Sequence, residues 1–125
     1  SNDGSVSGQF LAHLQEFCTD RAQARTKEDM LLRKPWTESN MEEVKGKQVD
    51  VSRTFFRLKD LHAYLLRQKF THYTNTGQII AELRKLDGIH KFFKLKGQGV
   101  NTWGILAFNP IDSDYAIQEQ DEVPF

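Results

Sequence analysis

The sequence holds a single cysteine, Cys18, in 125 residues. One thiol can neither close an internal disulfide nor build a cysteine-based metal cluster, and so sparing a use suits a reducing compartment, the cytoplasm or, in a eukaryote, the nucleus. No apolar run approaches the ~18–20 residues that cross a bilayer, so no membrane partner is expected. His-Glu-x-x-His, Cys-x-x-Cys and the P-loop are missing. Gly97-Gln98-Gly99 lacks the third glycine of a dinucleotide fingerprint. The four histidines, His13, His62, His72 and His90, are scattered, which reads as surface or core positions rather than metal ligands or bases. Neither an enzyme nor a bound cofactor or metal is expected.

Net charge is also missing, but only on average. Residues 1–52 carry seven basic and nine acidic side chains, residues 53–101 carry ten basic and three acidic, and residues 102–125 carry five acidic and none basic. A basic segment followed by an acidic tail points toward a nucleic-acid partner. The length suits one domain with appendages. Residues 1–8, small and polar, read as flexible or foreign to the fold.

Hydrophobic spacing sketches the elements. Phe10, Leu11, Leu14, Phe17 and Cys18 share one helical face, predicting a helix over residues 7–25. Thr26 and Asp29 resemble a capping box for a second short helix over 27–34, closed by Pro35. Residues 36–52 mix helix-like acidic turns around 41–44 with alternation at Val49 and Val51, an edge strand or an extended arm. Residues 54–58 read as a short strand, and 59–69 as a helix bearing Leu61, Tyr64, Leu65 and Leu66. A turn follows, with Thr74 or Asn75 as the next N-cap. Residues 76–86 put Ile79, Ile80, Leu83 and Leu86 inward, and Gly88 supplies a left-handed stop. Two strands, 89–96 and 100–107, flank the link Gly97-Gln98-Gly99.

This order, helix, strand, helix, turn, helix, strand, turn, strand, resembles the winged-helix fold over residues 53–108, an α+β class with a helix-turn-helix and a C-terminal β-hairpin wing. Residues 9–52 then form an N-terminal helical extension, longer than is usual in that fold. The resemblance implies DNA binding by the third helix and the wing. Thr74, Asn75, Gln78, Arg84 and Lys85 are the candidate contacts of the helix. His90, Lys91, Lys94, Lys96, Gln98 and Asn101 are those of the hairpin, where lysines reach phosphates and amides reach base edges. Lysines at alternate strand positions are also what an ordinary solvated face looks like. Phe92, Phe93, Trp103 and Tyr73 could stack on unpaired bases or fill the core. Alternation sets Phe93 with Ile89 and Leu95, and Phe92 with Lys94 and Lys96, so Phe92 is the candidate for exposure. Trp103 is expected against the helix.

Residues 56–106 also share, more loosely, a layout of Leu, Ile and Gly around 83–88 with winged helices of phage and plasmid primase–helicase replication proteins. The end of the chain, Asp121, Glu122, Val123, Pro124 and Phe125, resembles the acidic Pro-Phe tip of bacterial single-stranded-DNA-binding proteins. That likeness implies docking of other replication proteins through the tail at 109–125. The tail could equally shield the basic surface. A winged helix serving protein interaction is the rival of the DNA-binding module.

Overall fold

Two Lys-Gly pairs turn the chain into hairpins. Lys45 and Gly46 have φ of 51° and 80°, and Lys96 and Gly97 have 49° and 78°. Positive φ at both central residues is what a type I′ turn requires, and that turn matches the twist of its strands. The first joins β1 (Trp36–Val44) to β2 (Lys47–Phe56); the second joins β3 (Ile89–Leu95) to β4 (Gln98–Leu106). β2 then pairs with β4 from Arg53 opposite Leu106 to Phe56 opposite Trp103, giving one antiparallel sheet in the order β1-β2-β4-β3. The chain is thus a mixed α+β fold, seen in a computed structural model that describes residues 4–20 and 22–109.

Two sequence expectations are corrected here. The link between β3 and β4 is Lys96-Gly97, and Gln98 and Gly99 already belong to β4. Residues 36–52 are β1, its turn and the start of β2; the strand reading of Val49 and Val51 holds, and the helix-like reading of 41–44 within a helical extension does not. The glutamates at 42 and 43 favour helix in isolation, but the ladder to β2 supplies every residue of β1 with a partner, and tertiary pairing outweighs so weak a propensity.

Three helices cover one face of this sheet: α1 (Val6–Thr19), α2 (Leu58–Arg67) and α3 (Thr76–Lys85). Ser5 caps α1 by accepting from the Gly8 N–H at 2.9 Å, so residues 5–8 belong to the fold rather than to a flexible leader. Phe10, Leu14 and Phe17 of α1 pack with Leu61 and Leu65 of α2, Ile79 and Leu83 of α3, and Phe56, Trp103 and Ile105 of the sheet. Truncating one such buried Leu to Ala costs about 2–5 kcal/mol. α1 therefore shares the main core with the elements of residues 53–108. Leu11, expected on its inner face, is exposed.

The opposite sheet face holds a smaller cluster. Phe55, Phe93, Leu95 and Val100 lie under Met30 of a 3-10 helix, Lys27–Leu32. The expected capping box is not formed there. Thr26 makes no capping bond, and Asp29 instead accepts from the Arg25 N–H at 3.0 Å.

α2 and α3 end in the same way. Lys69 and Asp87 adopt φ of 59° and 58°. The next N–H reaches back, Phe70 to Leu65 O at 2.9 Å and Gly88 to Leu83 O at 2.8 Å. These are Schellman closures with a side-chain-bearing residue at the left-handed position. Gly88 is required for a different reason from the one expected: a Cβ on it would lie 2.6 Å from the Leu83 carbonyl oxygen.

Candidate nucleic-acid interface

The start of α3 is fixed by its own side chains. Asn75 Oδ1 accepts from the Gln78 N–H at 3.0 Å, while Gln78 Oε1 accepts from the Thr74 N–H at 2.7 Å and the Asn75 N–H at 3.4 Å. This reciprocal capping box satisfies donors that a helix start otherwise leaves open. Thr74, Asn75 and Gln78 are all exposed, yet the oxygens of Asn75 and Gln78 are committed locally. The Gln78 amide nitrogen is the group left to reach outward.

Further along α3, Ile79 and Leu83 are buried while Ala81, Arg84 and Lys85 are exposed. Glu82, the acid of this helix, is turned away from that face. It accepts from the Tyr73 hydroxyl at 2.8 Å and the Ser7 hydroxyl at 3.0 Å, with Lys85 Nζ at 3.5 Å. Burial would raise its pKa, but the hydrogen bonds from Tyr73 and Ser7 and the Lys85 charge outweigh it and hold the carboxyl below the usual range. It stays ionised and pins α1 and the α2–α3 turn to α3.

The hairpin divides its candidates between two faces, because side chains alternate along a strand. His90, Phe92 and Lys94 oppose Trp103, Asn101 and Gly99. Trp103 packs in the helix-side core, so this set lies on the same side of the sheet as α3. Phe92 is 61% exposed. His90 Nε2 and Asn101 Oδ1 are 3.0 Å apart. Lys96 stands in the turn, and Gln98 is exposed at the start of β4.

Lys91 goes to the other face. Its ammonium sits 2.8 Å from Glu38 Oε2 of β1 and 4.8 Å and 5.1 Å from the ring centres of Phe93 and Phe55. Burial raises the Glu38 pKa, yet its bonds from Lys91, Trp36 and Asn40 more than offset this and lower it. Lys91 is therefore a structural cation, separated from the other candidate lysines. The alternation that sets Phe93 with Ile89 and Leu95 places Lys91 on that face too; what the sequence does not show is its partner, Glu38 of β1. Phe93 is buried, as its alternation with Ile89 and Leu95 implied.

α3 and the hairpin meet at Trp103. The Arg84 guanidinium lies 5.6 Å from the indole centre, and the His90 ring approaches edge-on with centroids 5.9 Å apart. Trp103 is also a buried member of the main core beside Leu83, so the expectation that it packs on this helix holds. Arg84 and His90 thus meet on the helix side of the sheet, where Phe92 and Lys94 are also exposed, with Lys96 in the turn. Lys85 lies beside Glu82 and borders a separate hollow with Leu11, Leu106 and Phe108.

Elsewhere the candidates are few. Among the described residues no cluster of His, Cys, Asp and Glu could hold a metal ion, and no helix is long and apolar enough to cross a membrane. Burial pushes the Cys18 thiol up to about 12. The tail residues Asp121, Glu122, Val123, Pro124 and Phe125 lie outside the described residues. Comparison with protein-family models, with characterised proteins and with solved structures gave no match.

Proposed function

We propose that the chain is a DNA-binding module of winged-helix type, in which α3 and the β3–β4 hairpin grip one nucleic acid together. The observation that carries this reading is the meeting of Arg84 and His90 on Trp103. It couples the exposed cations of the helix to those of the hairpin through a residue anchored in the core. Preorganised donors on rigid elements lose little entropy on binding. Arg84, Lys85, Lys94 and Lys96 then meet phosphates, Gln78 and Asn101 offer amides, and the exposed ring of Phe92 offers a stacking surface. Lys91 has no part in it.

Fluorescence anisotropy of labelled single- and double-stranded DNA, at low and at physiological salt, tests the reading. Each phosphate contact should contribute about 0.7–0.9 to the slope of log affinity against log salt. Arg84→Ala and the double substitution Lys94→Glu, Lys96→Glu should each weaken binding. Affinity that ignores both, or no binding at low salt, overturns the proposal.

A further inference from the structure

A groove of about 480 Å³ runs along α2, facing the chain that leaves the 3-10 helix. Arg33, Arg57, Lys59 and Arg67 line it, with Ala63 as its small floor and Asp60 as the one carboxylate among its lining residues. Lys59, Ala63 and Arg67 are spaced at i, i+4 and i+8, one stripe of a helix, which sets the two cations about 12 Å apart along the axis. Arg33, which follows the 3-10 helix, lines the same groove. A second hollow shares Arg57 and Lys59 and continues to Gln98 and Asn101 of the hairpin.

One of the four cations in this groove is neutralised from within, and three are not. Asp60 is buried and taken by Arg57, whose Nε lies 2.7 Å from Oδ2. Arg33, Lys59 and Arg67 are exposed and have no acidic partner among the described residues. Arg67 lies 5.9 Å from the Tyr64 ring centre, which steadies its guanidinium. Arg33 closes the 3-10 helix in the left-handed conformation, φ 67°. Gathering like charges around one concavity is unfavourable unless an anion joins them.

We infer that this groove binds consecutive phosphate groups, either those of a nucleic-acid strand running on from the hairpin or those of a free polyphosphate. The groove is longer than one phosphate needs, and the guanidinium groups of Arg33 and Arg67, which no carboxylate among the described residues takes, are the side chains able to pair two donors with two phosphate oxygens. Its continuity with the hairpin gives a strand a path into it. The site stands apart from α3 and does not depend on base contacts there.

Isothermal titration of tripolyphosphate and of a thymidine oligonucleotide at low salt, against the whole chain, separates the sources. Three variants are compared: Arg33→Ala with Arg67→Ala, Lys59→Glu, and, as the control outside both sites, Lys47→Ala at the first hairpin. All the altered side chains are exposed, and thermal melting checks that each variant folds. Tripolyphosphate binding should fall by about tenfold or more in the first two variants, the loss of one or more charge-assisted hydrogen bonds, and stay within about twofold in the third. A parallel loss of oligonucleotide affinity in the first two assigns the groove to a nucleic-acid strand; unchanged oligonucleotide affinity assigns it to free polyphosphate. Tripolyphosphate that fails to bind the unaltered chain, binds all variants alike, or is matched by a poly-glutamate peptide of equal charge overturns the assignment.

Discussion

The ring of Phe92 lies across Gly99 of the neighbouring strand, so close that a Cβ on residue 99 would fall 2.3 Å from Phe92 Cζ. One face of the ring is pressed on the glycine while the residue remains 61% exposed. Phe55 does the same to Gly104 on the opposite face of the sheet, in a buried setting. A ring covering a strand glycine restores the cross-strand contact that the missing side chain forfeits.

Gly99→Ala should therefore displace Phe92 and, on the proposed function, weaken single-stranded oligonucleotide binding about as much as Phe92→Ala, by about 1–3 kcal/mol per stacked base, a factor of roughly five to 160. Gly104→Ala should instead act on stability, since Phe55 has no room to yield; overpacking of this kind costs about 1–3 kcal/mol. Urea denaturation alongside anisotropy separates the two effects. A Gly99→Ala protein that binds normally would show that the ring position does not matter.

Lys91 and Lys94 differ by three positions and carry the same charge, yet they should respond oppositely. Lys94→Ala should lower DNA affinity and reduce the salt slope by about 0.7–0.9, with stability nearly unchanged. Lys91→Ala should leave the salt slope alone and destabilise the fold by about 1 kcal/mol, because Glu38 loses its partly exposed partner. The pair is measured by titrations at three salt concentrations and by denaturant midpoints.

Lys69 closes α2 in a left-handed conformation with φ of 59°. Glycine adopts this freely, so Lys69→Gly should stabilise the protein by a net ~0.5–1 kcal/mol after its larger unfolded-state entropy is counted. A rise in melting temperature is the expected reading. Gly88→Ala at the end of α3 should lower it, since the added carbon meets the Leu83 carbonyl.

Cys18 is buried and its thiol is pushed up to about 12 from 9.0. The native thiol should resist alkylation at pH 8 and react only on unfolding. Its folded pKa lies above the unfolded one, so its contribution is fully present below about pH 9 and is lost as pH rises toward 12. Stability should fall across that range, and Cys18→Ala should flatten the fall. Rapid labelling of the folded protein at pH 8 would contradict the burial.

α2, α3 and the second hairpin were legible because local signals agree there: apolar spacing, the Asn75–Gln78 cap and glycine punctuation all name the same elements. The first hairpin was not, although Lys45-Gly46 is the same dipeptide as Lys96-Gly97. Around it the glutamates at 42 and 43 suggest helix, and only pairing with β2 reveals the strand. The ion pair of Lys91 is hidden with it, because its partner Glu38 sits on β1; its face was open to reading from the alternation of β3. The capping roles of Asn75 and Gln78 are half visible: the sequence offers Thr74 or Asn75 as the N-cap, while Gln78 reads as an outward-facing base contact. The α2 groove escaped because Arg33 enters it from a distant segment, and Lys59 and Arg67 alone look like an ordinary solvated helix face.

β2 divides its two neighbouring aromatics between the two cores, Phe55 into the cluster under Met30 and Phe56 into the cluster beneath the helices. Toward the Lys45-Gly46 turn the same strand and its partner are exposed. The first hairpin is thus a ruler with its zero mark in the core. Residues removed in matched pairs from its free end shorten it and leave the inner register intact. A single residue lost between Ser52 and Phe55 exchanges the inner and outer sets, and both cores lose their anchors at once.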